Sequence, residues 1–505
     1  MGCATGSGEW AVAYRHRYRT DTVIAKSCDS YRAAVGGLRF GNATERRNSL
    51  RRSDQSIESG STSAIGRYWP RALVAAGVAA TGALAVTSDW PASHRAAIIA
   101  SLCVLLWLTA WVRVWVPTVI LWIATPLLLG SLGPEFRLDH VVAWSADPIL
   151  ILFLGGFFLA AAARRQGADL RVASLTVRTA QGRPMRLVAL ASLATAGLSM
   201  WMSNIAAAAL MLGALQPILE REPRESRVRR AVLLSVALGA NVGGIATPIG
   251  SGPNGIAMAA VARHQSIGFV DWMIFGVPLT LGLLVLSIGA IAVLLRPSGA
   301  LPVTGNGELP PPGRLGSLAF VFGVTVILWL SEPLHGVPAW GVAIGSMVML
   351  AAFRLVRWAD VLHLDWSTLL LIAGGIGLGA LLDRSGLVRE LAIRLPLDGG
   401  PSALRLLGLC FASAILSSLM SNTGTAALLI PLAATVDPSP STAVIVAVSS
   451  SLGVAFVIST PPNAMAVARG LPSSDLLLPG LLLLIVGCVV VAFTGPAVLR
   501  AVGIP

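Results

Sequence analysis

Long apolar stretches, several of them cut near the middle by short polar runs, constrain this 505-residue chain more than any other feature. A helix needs about 20 apolar residues to cross a bilayer, and passes are predicted near 71–88, 96–112, 114–133 and 146–163. The next apolar block, 187–220, is interrupted at Met202-Ser203-Asn204, leaving two halves too short to cross singly, the pattern of a re-entrant hairpin. A pass at 231–264, broken between Thr247 and Asn254, and another at 271–295 follow. With 55% hydrophobic and only 12% charged residues, the chain is too apolar for an ordinary water-soluble domain. The bilayer is its expected solvent, and the reading is an integral membrane protein.

The order then repeats. A linker at 297–315 carrying Pro310, Pro311 and Pro312 separates the first half from passes near 316–333, 338–353 and 366–382. After these come a block at 405–435 interrupted at Ser421-Asn422-Thr423, a pass broken between Ser459 and Asn463, and a last span at 476–499. The run from Asp147 to Gly156 resembles that from Asp365 to Gly375, Ser203-Asn204 matches Ser421-Asn422, and Pro253-Asn254 matches Pro462-Asn463. The first two pairs share one offset along the chain and the third falls slightly short of it, so duplication with a single contraction explains all three. The expected fold is an all-α polytopic membrane protein with two inverted repeats, about 11 transmembrane helices and two re-entrant hairpins. Its parts are a disordered Arg-rich tail at 1–67, a first transmembrane helix at 68–95, a first repeat at 96–296 with hairpin 187–220, the linker, and a second repeat at 316–500 with hairpin 405–435.

An odd number of crossings per repeat makes the second copy enter from the opposite side. The net charge of +13 comes almost wholly from Arg, Lys26 being the only Lys, and the Arg residues flank the spans with an excess on one side. That pattern sets topology and calls for no nucleic-acid partner: it predicts a cytoplasmic N-terminus and an external C-terminus in the cell membrane. The Arg-rich stretch 384–405 opposes the bias and reads as an interfacial amphipathic arm. Cys3, Cys28, Cys103, Cys410 and Cys488 have no metal-ligand spacing.

Polar groups left unsatisfied in lipid cost several kcal/mol each, so the mirrored gaps must face protein, water or ligand. Hydroxyls, amides and freed carbonyls at Ser203-Asn204 and Ser421-Asn422-Thr423 suit a hard cation, while freed N–H groups at half-helix N-termini suit an anion. The breaks Gly250-Ser251-Gly252-Pro253-Asn254 and Ser459-Thr460-Pro461-Pro462-Asn463 add unwound backbone. Paired carboxylates or a nucleophile with its base, which enzymatic chemistry would require, are missing from the apolar midsections, so no enzyme is expected. The reading is a transporter of small anions; exchange, proton coupling and channel-like passage are the alternatives.

The two hairpin tips, the run Ala240-Asn241-Val242-Gly243-Gly244-Ile245-Ala246-Thr247, and Thr460-Pro461-Pro462-Asn463 together resemble the divalent-anion sodium symporter family over roughly residues 90–500. The resemblance implies a homodimer with elevator-type scaffold and transport domains that couples Na⁺ to uptake of C4-dicarboxylates, citrate or sulfate. It implies one sodium site at Ser199, Ser203, Asn204 and the backbone of Gly250, and a second at Ser417, Ser421, Asn422 and the backbone of Ser459. Substrate would be touched by Asn204, Ser421, Asn422, Thr423, Thr460 and Pro461. Two positions depart from the family pattern: Ile205 stands where Thr is usual, and Gly252 where a Pro is usual. A substrate group deprived of the Thr hydroxyl would lose about 1 kcal/mol.

Overall fold

The computed structural model describes residues 90–109, 111–263, 265, 267–299, 313–394, 402–437 and 439–504. The 1–67 tail, most of the predicted 68–95 helix and most of the linker lie outside the described residues. The described chain holds 22 α-helices, one short 3-10 helix and no strand. The expected membrane-protein class stands, all-helical and apolar.

The element order recurs. A span at Ile149–Arg165, an arm at Ala168–Ala180, hairpin arms at Pro184–Ser199 and Asn204–Ala214, a broken helix at Arg227–Gly243 and Gly252–Val261, and a long span at Phe269–Leu295 make the first series. The second runs Trp366–Arg384, Leu387–Arg394, Ser402–Leu419, Asn422–Val436, Pro440–Ser450, Pro461–Ala468 and Ser474–Ala501. In both, the arm is joined to its span by a glycine in the left-handed region, Gly167 (φ 67°) and Gly386 (φ 77°), where a side chain would be strained. The helix Leu387–Arg394 occupies the Arg-rich stretch read as an arm.

Among the described residues, fewer helices are long and apolar enough to cross a membrane in one piece than the apolar scan predicts. Phe269–Leu295, Trp366–Arg384 and Ser474–Ala501 meet that requirement, and Leu138–Trp144 with Ile149–Arg165, bent by 55°, meets it only when the two are counted together. Of the other predicted passes, those near 96–112, 114–133, 316–333 and 338–353 fall on apolar helices of 10–17 residues, that at 231–264 is the broken helix, and that at 71–88 lies outside the described residues. Local chemistry starts them late: Pro117, Pro184, Pro253, Pro440 and Pro461 sit in first turns, where a missing N–H costs nothing.

The repeats interlock through glycine. A Cβ on Gly155 of the span Ile149–Arg165 would come within 2.7 Å of Ala343 Cβ in Ala339–Ala352, and one on Gly374 of Trp366–Arg384 would strike the Thr118 side chain in Val116–Leu129. Thr118 Oγ1 also donates to the Leu370 carbonyl at 2.8 Å. Charged clamps hold the ends: Arg165 pairs with Asp360 at 2.8 Å, and Arg230 forms a two-pronged bond to Asp475.

Candidate substrate and cation site

In the first hairpin the chain leaves helix at Met200 and resumes at Asn204. Ser203 is the N-cap of the outbound arm, its hydroxyl accepting from the Ala206 N–H at 3.3 Å. Asn204 opens that arm and faces the Ser199 hydroxyl and two backbone carbonyls. Ser199 Oγ lies 2.7 Å from it, and with the amide nitrogen turned inward it donates to the carbonyls of Ala240 and Gly250, each at 3.3 Å. Ser199 Oγ is itself 2.7 Å from the Ala240 carbonyl. With the amide oxygen turned inward, the single Ser199 proton can serve only one of its oxygen neighbours, and the carbonyls left facing Asn204 Oδ1 repel it, a repulsion that a cation among them would relieve. Gly244 makes the approach possible, since a Cβ there would lie 2.5 Å from Asn204 Oδ1.

The second hairpin repeats the geometry. Ser421 caps Asn422–Val436 by accepting from the Gly424 N–H at 3.1 Å, and Ser417 Oγ donates to Asn422 Oδ1 at 2.8 Å. Ser459 docks on the same arm, its hydroxyl donating to the Ser418 carbonyl at 3.3 Å while accepting from the Phe456 N–H at 3.1 Å. The predicted members of each set are therefore neighbours: Ser199, Asn204 and Gly250 directly, Ser417 and Asn422 directly, and Ser459 through the last turn of the inbound arm. Ser203 and Ser421 spend their hydroxyls on helix caps.

The breaks begin earlier than the sequence suggests. Helix ends at Gly243 and resumes at Gly252, and in the second repeat it ends at Ser450 and resumes at Pro461. The Pro-Asn pairs read as the interruptions instead form the first turns of the trailing helices, because Pro at the start of a helix loses no bond. Asn254 Nδ2 donates to the Gly244 and Thr247 carbonyls at 2.9 and 2.8 Å, and Asn463 Nδ2 to the Val454 and Phe456 carbonyls, both at 2.9 Å. Each asparagine thus ties back the carbonyls that unwinding frees. Sequence reasoning missed these roles, although the repetition of Pro-Asn was the available signal.

Two contacts join the halves at the site. Asn241 Nδ2 donates to Asn463 Oδ1 at 2.9 Å, with both residues buried. Gly252 lies against Thr423, whose Oγ1 would be only 2.4 Å from a Cβ on the glycine. The departure at 252 thus gives a predicted substrate contact the room it occupies. Thr460, also predicted to touch substrate, is buried with its hydroxyl unpartnered among the described residues. Pro461 starts the helix after it. Ile205 lies on an exposed face shared with Ala209 and Gly213, whereas Ser199 is buried and Asn204 half-buried.

The surroundings are electrically neutral: residues 199–206, 244–254, 417–425 and 451–463 include no charged side chain, and no three metal-ligating His, Cys, Asp or Glu side chains cluster among the described residues. Any charge must be met by dipoles. Four helices end here, at Ser199, Gly243, Leu419 and Ser450, and four begin, at Asn204, Gly252, Asn422 and Pro461. Helix ends offer carbonyls to cations and helix starts offer N–H groups to anions.

Known proteins bear on this arrangement. The chain is 31% identical to an uncharacterized transporter of Haemophilus influenzae over 80% of its own length and 92% of that protein. It is 28% identical to the sodium-dependent dicarboxylate transporter SdcS of Staphylococcus saprophyticus, covering 73% of this chain and 80% of that one. A sodium-dependent low-affinity dicarboxylate transporter of Caenorhabditis elegans is 26% identical with the same coverage of both chains. The fold is similar to the crystal structure of the Alcanivorax borkumensis YdaH transporter, with a TM-score of 0.51 and 16% identity over 79% of this chain and 98% of the other. The kinship read from the hairpin tips is borne out, and the chain is a transporter, not an enzyme. Residues 104–444 match the citrate transporter family model, and the chain belongs to that family of integral membrane transporters.

Proposed function

We propose that the protein is a cation-coupled symporter, with Na⁺ as the coupling ion and a small di- or multivalent anion such as a C4-dicarboxylate, citrate or sulfate as its cargo. One observation carries this reading: Asn204 stands among the Ser199 hydroxyl and the Ala240 and Gly250 carbonyls, an oxygen-rich cluster at the start of a helix, and Ser417–Asn422 repeats its core. Ser199, Ser203, Asn204 and Gly250 would serve one sodium ion, and Ser417, Ser421, Asn422 and Ser459 the other. The anion would lie against Asn204, Ser421, Asn422, Thr423, Thr460 and Pro461. A neutral pocket cannot balance a dianion, so bound cations supply the missing positive charge. The names of the sodium-dependent relatives support the same ion. Homodimer assembly, elevator motion, residence in the cell membrane and a cytoplasmic N-terminus belong to the same reading.

The test is uptake by reconstituted proteoliposomes of succinate, citrate and sulfate under an inward Na⁺ gradient, against choline. Uptake should require Na⁺ and should fall at least tenfold in Asn422→Ala, on the scale of losing a charge-assisted contact. Uptake indifferent to Na⁺ refutes symport by this ion.

A further inference from the structure

The turn of the first hairpin carries Trp201, two residues before Ser203, and its ring is built into an aromatic stack drawn from two distant helices. Its plane lies 5° from that of Trp329 at 6.1 Å between centroids and 14° from that of Phe269 at 6.3 Å, while Phe322 meets it edge-on at 5.1 Å. Phe269 and Trp329 themselves stack at 4.6 Å, and both are fully buried.

The foundation of the stack is fixed by hydrogen bonds. Trp329 Nε1 donates to the Ala339 carbonyl at 2.9 Å. Glu332 accepts from the Ala339 N–H at 3.2 Å and the Phe269 N–H at 3.1 Å, pinning the start of Phe269–Leu295 to the end of Leu315–Leu330. Neighbouring Met200 accepts through its carbonyl from Thr247 Oγ1 in the first break. The non-helical residues 200–203 therefore hang between a rigid aromatic platform and the broken helix. They lead directly into Asn204.

Among the described residues, no aromatic stack of this kind involves the second hairpin. Leu419 takes the place of Trp201, two residues before Ser421, and is 60% exposed.

We propose that Trp201 is a positioning residue: by stacking on Phe269 and Trp329 and meeting Phe322 edge-on, it holds the first hairpin tip in register, so that Asn204 stays beside Ser199, Ala240 and Gly250. This rests on the cation-site reading above. It adds that the first site is aligned by the helix Leu315–Leu330, which contributes no ligand to it.

The test needs no identified anion. Melting temperature of the purified, detergent-solubilised full chain is followed against Na⁺ concentration, with choline holding ionic strength constant, in wild type, Trp201→Ala, Trp201→Tyr, Phe322→Ala and Leu419→Ala. Trp201→Ala should raise the half-maximal Na⁺ concentration about tenfold, the scale expected when lost ring contacts are transmitted to the ion. Phe322→Ala should shift it in the same direction, Trp201→Tyr should restore most of the response, and Leu419→Ala should leave it unchanged. A wild type that ignores Na⁺ overturns the cation-site reading, and this proposal with it. A responsive wild type with an unaltered midpoint in Trp201→Ala overturns the proposal alone. Should Trp201→Ala prove misfolded by gel filtration, Phe322→Ala decides by the same criterion.

Discussion

The first and second breaks occupy equivalent places in the duplicated order, yet their surroundings differ. Gly244 to Ser251 is buried throughout, whereas Phe456 and Ile458 of the second break are open, Ile458 at 57% exposure against 3% for its counterpart Ile249. The cover explains the difference. Trp272 Nε1 donates to the Ile245 carbonyl at 3.0 Å, Gly276 lets its helix approach the carbonyls of Ile245 and Ala246, and Gly156 admits Ile249. In the second repeat Gly480 brings the last span against Val454 and Ala455, but Leu476 stands in the place of Trp272 and has no indole to donate. Near-identical motifs can therefore be shut in one copy and open in the other. What separates them is packing contributed from elsewhere in the chain.

The largest expected effect comes from the glycines after the leading halves. Gly244→Ala drives a methyl into Asn204 and should abolish the Na⁺-induced rise in melting temperature. Gly453→Ala instead meets backbone atoms of Ala414, Ser417 and Ser418 and touches no side chain of the second site, so its expected effect is overpacking of about 1–3 kcal/mol with a weakened but measurable Na⁺ response. Melting curves with and without Na⁺ separate the two, and identical behaviour of both variants would erase the distinction drawn here.

The arms offer the next contrast. Asp169 of the first arm is buried, and desolvation pushes its carboxyl up to about 6, against opposing help from the Leu170 N–H and Arg164; counting from the hinge glycines, the second arm has Val388 there. A raised carboxyl pKa favours the protonated folded chain, so this contribution to stability is present below the unfolded value near 3.8 and is lost as pH rises through about 6. Asp169→Asn should thus gain on the order of 2 kcal/mol at pH 7.5 and little at pH 4. A gain independent of pH would point to another cause.

Gly252→Ala should displace Thr423 and raise the KM for the transported anion about tenfold without moving the Na⁺ midpoint. If Na⁺ dependence shifts instead, Thr423 serves the cation. The smallest effect concerns the asparagines. Asn463 accepts from Asn241 as well as tying its own break, whereas Asn254 Oδ1 has no partner among the described residues. Asn463→Ala should therefore cost about 1 kcal/mol more than Asn254→Ala, and a double-mutant cycle between Asn241 and Asn463 should recover that coupling. Additive losses would mean that the bond across the repeats adds nothing.

Much of this was legible in the sequence. Ser203-Asn204 and Ser421-Asn422 stood out because polar pairs in apolar blocks recurred at one offset, and the hairpins form where those pairs fall. The break boundaries were misplaced because proline signals both the end of one helix and the start of another, and only the backbone distinguishes the two. Trp201 could not be singled out, since the rings that give it meaning come from positions 269, 322 and 329. The unequal cover of the breaks was hidden for the same reason: it depends on which remote helix presents a tryptophan and which a leucine.

The absence of charged side chains from the tips and breaks has an electrical consequence. Membrane voltage acts on charge, at about 2.3 kcal/mol per elementary charge for each 100 mV, and these segments give it nothing fixed to pull. Under the symport proposed above, the current would be the net charge of cations and cargo together, zero for two Na⁺ carried with a dianion, so that a voltage clamp would read the net charge moved per turnover.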